Sequence, residues 1–76
     1  MFFFDLYDDM TVIDDEGAEL PGLEQAREHA LRNAAEMACT EVLERHLNLK
    51  HRIEVRDESG ATVATVRFAD VVKVEQ

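Results

Sequence analysis

Five carboxylates lie in two short segments near the start of the chain. They are Asp8, Asp9, Asp14, Asp15 and Glu16. Hard oxygen ligands suit calcium or magnesium, so a cation site or a small active site could form where these segments meet. Their spacing lacks the alternate acidic positions that an EF-hand loop requires. Aspartate also favours turns for backbone reasons, and the pattern favours two solvated turns over a metal site.

Three histidines are the next candidates for acid–base chemistry or zinc binding. His29 falls on the polar side of a predicted helix, whereas His46 and His51 bracket the exit of that helix. A zinc site needs three or four protein ligands, and the sequence places no carboxylate or thiolate beside this pair. We therefore interpret all three as surface histidines and predict no metal ligand.

Few nucleophiles are present. Cys39 is the only cysteine and Ser59 the only serine. A reactive thiol needs a base or a cationic environment, whereas free cysteine usually packs as a small hydrophobe. Ser59 falls in a predicted hairpin turn, and the three glycines are too scattered for a phosphate-binding loop. The sequence predicts no catalytic residue, no cofactor and no enzyme activity.

One long helix positions several of these residues, and the sequence predicts it from Leu23 to about Leu47. Its interior lacks glycine and proline and is rich in strong helix formers. Proline at position 21 disfavours helix in the residue before it. Gly22 is the predicted N-cap, with Gln25 completing a weak capping box.

An apolar face at helical spacing runs along this helix. It comprises Leu23, Ala26, Ala30, Leu31, Ala34, Ala35, Met37, Ala38 and Val42. The pattern breaks near the end. There Glu41 and Arg45, a predicted i,i+4 ion pair, fall on the apolar side. Cys39, Leu43 and Leu47 line up on the polar side; we call these three the helix-end stripe. Either the helix bends or stops near residue 43, or the stripe contacts a second copy or a protein partner.

Two hairpins flank the helix. Phe2–Tyr7 pairs with Thr11–Ile13, and Arg52–Arg56 pairs with Thr62–Phe68 through a turn. One helix covers one face, so both hairpins must join one sheet. The predicted fold is α+β in the order β-β-α-β-β. One long helix packs on a single antiparallel sheet of about four strands, with the first strand central. Residues 1–76 form one domain, and Val71, Val72 and Val74 extend the last strand or form a short one.

The charge balance bears on the partner. Seventeen acidic residues against eight basic ones give a net charge of −9, which repels phosphate backbones and anionic lipids. Nucleic acid is therefore disfavoured as a partner. One feature favours nucleic acid despite this net charge. It is a basic cluster on the second hairpin, comprising Lys50, Arg52, Arg56, Arg67 and Lys73. No apolar run approaches the roughly 20 residues of a membrane span. One cysteine allows no internal disulfide, so we expect a cytoplasmic protein without membrane contact.

Three segments resemble a family of very small bacterial proteins, a domain of unknown function. They are Phe2–Leu6, Asp14–Arg27 and the run from Glu54 to Gly60 leading into Val66-Arg67-Phe68. The most specific part is Glu-Gly-x-Glu-Leu-Pro-x-Leu-x-x-Ala, from Glu16 to Ala26. The resemblance implies a free-standing domain in a bacterial cytoplasm and carries no activity, cofactor or catalytic residue. The chain departs from the family pattern at Gly22, where an acidic residue is usual, and at Asp8-Asp9, where Asp-Gly is usual.

Three functions remain open from the sequence. We favour a non-catalytic interaction module that forms a homodimer or docks an unknown protein partner through the helix-end stripe or an exposed strand edge. The first alternative is a nucleic-acid-associated regulator that uses the basic outer face of the second hairpin. The second alternative is a small enzyme or divalent-cation site at the acidic turns.

Overall fold

The computed structural model describes residues 1–72. The elements, in chain order, are β1 (Phe3–Tyr7), β2 (Thr11–Val12), α1 (Leu23–Leu43), β3 (Arg52–Arg56), β4 (Thr62–Arg67) and a 3-10 turn (Phe68–Asp70). The four strands form one sheet in the order β2-β1-β3-β4, with every pair antiparallel. This confirms the predicted α+β fold and the central position of the first strand.

The end of the last strand differs from the prediction. β4 ends at Arg67, and the backbone then turns into the 3-10 turn. Val71 and Val72 follow that turn and do not extend the strand. Val74 lies outside the described residues.

Alternating side chains give the sheet an apolar inner face and a polar outer face. In β3 the pattern is clean, because Ile53 and Val55 are buried and the residues between them are half-buried. Phe3 lies opposite Arg56, and Tyr7 lies opposite Arg52. The register shifts by one residue near Val55 and Arg56, where the pairing with β4 passes from Ala64 to Thr62. Aromatic and arginine side chains therefore share the outer face.

A row of alanines brings the helix close to the inner face. Ala26, Ala30, Ala34 and Ala38 recur every four residues and are all buried. Opposite them lie the buried side chains Ile53, Val55, Val66 and Phe68. The apolar face is narrower than predicted, since Leu23, Ala35 and Val42 are exposed. Because small side chains admit only one close row, residues at the margins of the predicted face stay in water.

The helix covers the sheet unevenly. It packs mainly on β3 and β4, which are one edge of the sheet and its neighbour. Val12 on β2 is 54% exposed, and Leu6 on β1 is half-buried. The uneven cover leaves a groove between the helix and the β1–β2 side of the sheet.

Both helix ends correct the sequence prediction. Gly22 is the N-cap as expected, but no side chain caps the helix there, so the predicted Gln25 capping box is wrong. The helix ends at Leu43, so the predicted end near Leu47 is wrong and the alternative that the helix stops near residue 43 is confirmed. Arg45 lies beyond this end with a φ of 67°. The predicted helical Glu41–Arg45 pair is therefore wrong as well.

Candidate functional site

Glu41 is a buried acid in the last turns of α1. It lies on the same side of the helix as the alanine row, which explains why it interrupted the apolar pattern. Its Oε2 is 2.6 Å from Nδ1 of His51, and its Oε1 accepts a 3.0 Å hydrogen bond from the backbone N–H of Asn48. Both carboxylate oxygens thus have partners, as a buried charge requires.

The chain turns back towards the sheet directly after the helix, and this return positions His51. The N–H of His46 donates to the carbonyl of Glu41 at 2.9 Å, and the N–H of Arg45 donates to the carbonyl of Val42 at 2.9 Å. These two bonds form a Schellman motif, in which Arg45 takes the left-handed position usually given to glycine. Leu47 then packs against the core. The motif ends the helix and starts the return of the chain towards β3.

His51 directly precedes β3 and is 6% exposed. Its carbonyl accepts a 2.8 Å hydrogen bond from the N–H of Phe68, and its ring meets the Phe68 ring edge-on at 5.5 Å. Nδ1 faces Glu41, whereas Nε2 lies 3.5 Å from Oδ1 of Asp9. The interpretation of His51 as a surface residue is therefore wrong.

An open cleft of about 300 Å³ borders this pair. Leu6 and Met37 supply its apolar surface. The polar lining residues are Asp8, Asp9, Thr40, Glu41, Glu44, His46 and His51. We call this feature the acidic cleft. His46 lines it through an Nε2 atom that is 3.2 Å from Oε2 of Glu44. His46 and His51, which bracket the helix exit, both line the cleft.

The charges around His51 favour its protonated form. Burial by itself lowers the pKa of an imidazole. The hydrogen bond to Glu41 and the negative charges of Glu41, Asp9 and Asp8 act in the opposite direction and prevail, so the pKa of His51 is raised. Protonation of His51 is therefore easier in the folded protein than in a free imidazole, and this ring lies at one side of the acidic cleft.

The predicted acidic turns divide into two structural roles. Asp8 and Asp9 line the acidic cleft, whereas Asp14 supports the backbone of a different segment. Asp14 accepts hydrogen bonds from the N–H groups of Phe4, Glu16 and Gly17 at 3.0, 3.1 and 3.2 Å. Burial opposes its ionisation, but these three donors together with Arg56 keep the pKa of Asp14 below its usual range.

Asp5 and Arg56 form an ion pair beside Asp14. Asp5 is buried on the outer face, and its two oxygens accept from Arg56 at 2.6 and 3.1 Å. Arg56 also donates to the carbonyl of Asp14 at 2.9 Å. Among residues 1–72, no group of three or more His, Cys, Asp or Glu side chains is arranged to hold a metal ion.

The helix-end stripe is divided by the end of the helix. Cys39 is exposed, and Leu43 is 80% exposed. Leu47 lies past the helix and packs against the core. Two of the three residues of the predicted interface therefore share an exposed helix surface, and the third does not.

Acids engage Arg52 and Arg56 on the basic outer face of the second hairpin. Arg52 lies over the Tyr7 ring at 4.4 Å and donates to Glu54 at 2.8 Å. Arg56 is held by Asp5, while Thr65 and Arg67 are exposed. Lys73, which the prediction included in this cluster, lies outside the described residues.

The sequence contained a signal for the Glu41–His51 pair that our interpretation missed. Glu41 falls in the angular position of the alanine row, and His51 is in phase with Ile53 and Val55, two and four residues later. An acid in the buried position of a helix needs a partner. A histidine in the buried position of the next strand supplies that partner once the helix packs on the sheet.

The fold and the site together define the class of protein: a small α+β domain with an acidic cleft between its helix and its sheet. In the described part of the chain, no helix combines the length and the apolar character needed to cross a membrane.

A family model described as a domain of unknown function, DUF6894, matches residues 1–69. The chain therefore belongs to this family, which confirms the resemblance to a domain of unknown function. No curated protein matches the chain, and no solved structure matches it either.

Proposed function

We propose that the protein is a non-catalytic interaction module that binds a basic segment of a protein partner in the acidic cleft. One observation carries the proposal: the cleft combines apolar Leu6 and Met37 with the carboxylates of Asp8, Asp9 and Glu44. An apolar surface next to like charges favours a ligand that has both apolar and cationic groups. The net charge of −9 attracts such a ligand over a longer range.

Binding fits this cleft better than catalysis does. A carboxylate that orients an imidazole is also found in hydrolytic enzymes, where the imidazole activates a nucleophile. The hydroxyl among the lining residues, that of Thr40, donates instead to the carbonyl of Glu36 at 3.2 Å. Cys39 is on an exposed surface of the helix and is not among the residues that line the cleft. Among the described residues that line the cleft, the pair therefore has no unengaged hydroxyl and no thiol to activate.

Self-association through the helix-end stripe has less support. Only Cys39 and Leu43 remain on the exposed surface, and two side chains supply little of the roughly 800 Å² per partner of a standard interface. Two copies that each carry −9 would also repel each other.

Nucleic-acid binding through the second hairpin also has less support. Phosphate recognition relies on arginine and lysine side chains that are free to reach the backbone. Arg52 and Arg56 are engaged with Glu54 and Asp5. This leaves Lys50 and Arg67 as the exposed basic residues of the described part of that cluster.

We place this function in the cytoplasm of a bacterium. The support is the exposed thiol of Cys39, the only cysteine of the chain, which suits a reducing compartment.

The proposal is tested by selecting a phage-displayed library of random peptides on the wild-type protein. We expect enriched peptides that combine lysine or arginine with apolar residues. Their affinity should fall by about tenfold in the double variant Asp8→Asn, Asp9→Asn, because two favourable charges are lost. Both residues are exposed, so the variant should fold normally.

The matched control is Asp15→Asn with Glu16→Gln, which makes the same change in net charge at two exposed residues outside the cleft. This variant should change the affinity less than about twofold, since salt screens distant charges. The proposal fails if no peptide is enriched, or if the two double variants weaken binding equally.

A further inference from the structure

The size of the acidic cleft suits one long side chain. Ligand sites for whole small molecules span about 300–1,000 Å³, and this open cleft of about 300 Å³ lies at the lower limit. Leu6 and Met37 can contact an apolar stem, while the carboxylates lie where a polar end group would reach. Lysine and arginine have this construction, with a hydrocarbon stem and a charged end.

His51 lines the cleft, with one ring nitrogen bonded to Glu41 and the other in a long contact with Asp9. Its side chain is more than nine-tenths buried and lines the cleft. Nδ1 is bonded to Glu41, but Nε2 has no hydrogen bond to any of residues 1–72. The nearest carboxylate oxygen, Oδ1 of Asp9, is 3.5 Å away on a side chain that is 86% exposed. That separation exceeds a normal N–H···O distance, so Nε2 can take a partner from the cleft.

The surrounding charges determine the sign of that partner. The titratable groups facing His51 are Glu41 and Glu44 at the helix end, Asp8 and Asp9 in the β1–β2 turn, and His46 in the returning segment. Phe68, which packs against the imidazole from the other side, is apolar. An anionic ligand would meet four carboxylates, so a cation is favoured.

We infer that the acidic cleft binds the side chain of a single lysine or arginine of the partner, and that its charged end replaces the proton on Nε2 of His51. This inference rests on the proposed function. When His51 is protonated in the free protein, Nε2 carries a proton and lies 3.5 Å from Oδ1 of Asp9. On binding, the proton leaves Nε2 for solvent, and an N–H of the ligand donates to the vacated lone pair and to Asp9. Nδ1 keeps its proton and its bond to Glu41. The charged end of the ligand thus replaces the positive charge of the protonated His51 ring.

The exchange makes binding depend on pH in a defined direction. Protonation of His51 competes with the ligand, so affinity rises with pH across the titration of His51. For one exchanged proton, the limiting slope is about tenfold per pH unit. Conversely, bound ligand lowers the apparent pKa of His51. Binding by general charge attraction alone would not be linked to this one histidine.

The test is an NMR titration of the intact protein with Nα-acetyl-lysine methylamide, with Nα-acetyl-norleucine methylamide as the matched uncharged probe. We expect saturable shifts at His51 and Met37 with the lysine probe, stronger binding at higher pH, and a lower apparent pKa of His51 in the complex. The norleucine probe should give none of the pH dependence. Asp9→Asn should lower the affinity for the lysine probe by about two- to fivefold, the value of an exposed ion pair. Asp15→Asn should leave this affinity unchanged.

Three results would overturn the inference. They are equal binding of the two probes, pH-independent binding of the lysine probe, and the absence of a saturable shift at His51. Selected peptides separate this failure from failure of the proposed function. If binding of the peptides needs Asp8 and Asp9 but tolerates norleucine at every lysine and arginine, the proposed interaction module is supported and the site for a single basic side chain is rejected. If no peptide binds, the proposed function and the inferred site are both rejected.

Discussion

Single residues of this chain depend on their partners for their roles, and Glu41 shows this most clearly. In sequence it is an acid that interrupts an apolar helix face. In the structure it joins the last turns of the helix to the backbone at Asn48 and to the ring of His51. A buried charge without these partners would cost several kcal/mol. Glu41 and His51 therefore have to be explained together.

Glu41→Gln tests the pair through the pH dependence of stability. The pKa of His51 is raised in the folded state. Its stabilising contribution is therefore fully present below the unfolded-state pKa of about 6.5 and is lost as pH rises through the folded-state pKa. We expect the variant to lose about 1–3 kcal/mol near pH 6 and less near pH 9, as measured by urea unfolding at each pH.

Glu44→Gln is the matched control, because Glu44 makes a similar contact with His46 at an exposed position. It should change the free energy of unfolding by less than about 0.5 kcal/mol at either pH. An equal loss in both variants would show that Glu41 contributes no more than a surface charge. A Glu41→Gln deficit that grows with pH would contradict the assigned direction of the His51 pKa.

At the scale of elements, the turn after α1 determines the site. The helix stops at Leu43, and Arg45 takes a positive φ that lets the chain turn back. That conformation costs a residue with a Cβ atom about 1–2 kcal/mol, which glycine avoids. Part of the stability that glycine would add at this position is offset by its greater conformational freedom in the unfolded chain.

Arg45→Gly should therefore stabilise the protein by about 0.5–1 kcal/mol, as measured by the midpoint of urea unfolding. The matched control is Arg27→Gly, at an exposed position inside α1, which should destabilise by about 0.5–1 kcal/mol. Destabilisation by both changes would mean that Arg45 does not adopt the left-handed conformation and that the helix continues.

The sequence was sufficient to predict the four strands, the helix and their order, because the patterns inside these elements agreed with the fold. Two patterns identified buried faces: the four-residue spacing of the alanines in α1, and the two-residue spacing of Ile53 and Val55 in β3. The site was harder to predict because its residues come from three separate segments. His51 meets Glu41 only after the chain turns at Arg45. Asp9 joins them only because the β1–β2 turn lies at the same end of the sheet.

At the scale of the whole molecule, charge and packing act together. The helix packs mainly on β3 and β4. The less covered part of the sheet, at β1 and β2, borders a cleft lined by carboxylates, on a chain of net charge −9. The core uses alanines where larger side chains would lift the helix from the sheet. The close packing of the alanine row on β3 and β4 leaves the acidic cleft open beside the buried Glu41–His51 pair.

NMR titration of the His51 ring shows whether Glu41, which lies beside it, raises the pKa of this buried histidine. We expect a His51 pKa above the ordinary value of about 6.5, and a lower pKa in Glu41→Gln, with the resonance assigned from a His51→Gln variant. A His51 pKa at or below the ordinary value, or one unaffected by Glu41→Gln, would show that Glu41 does not raise it.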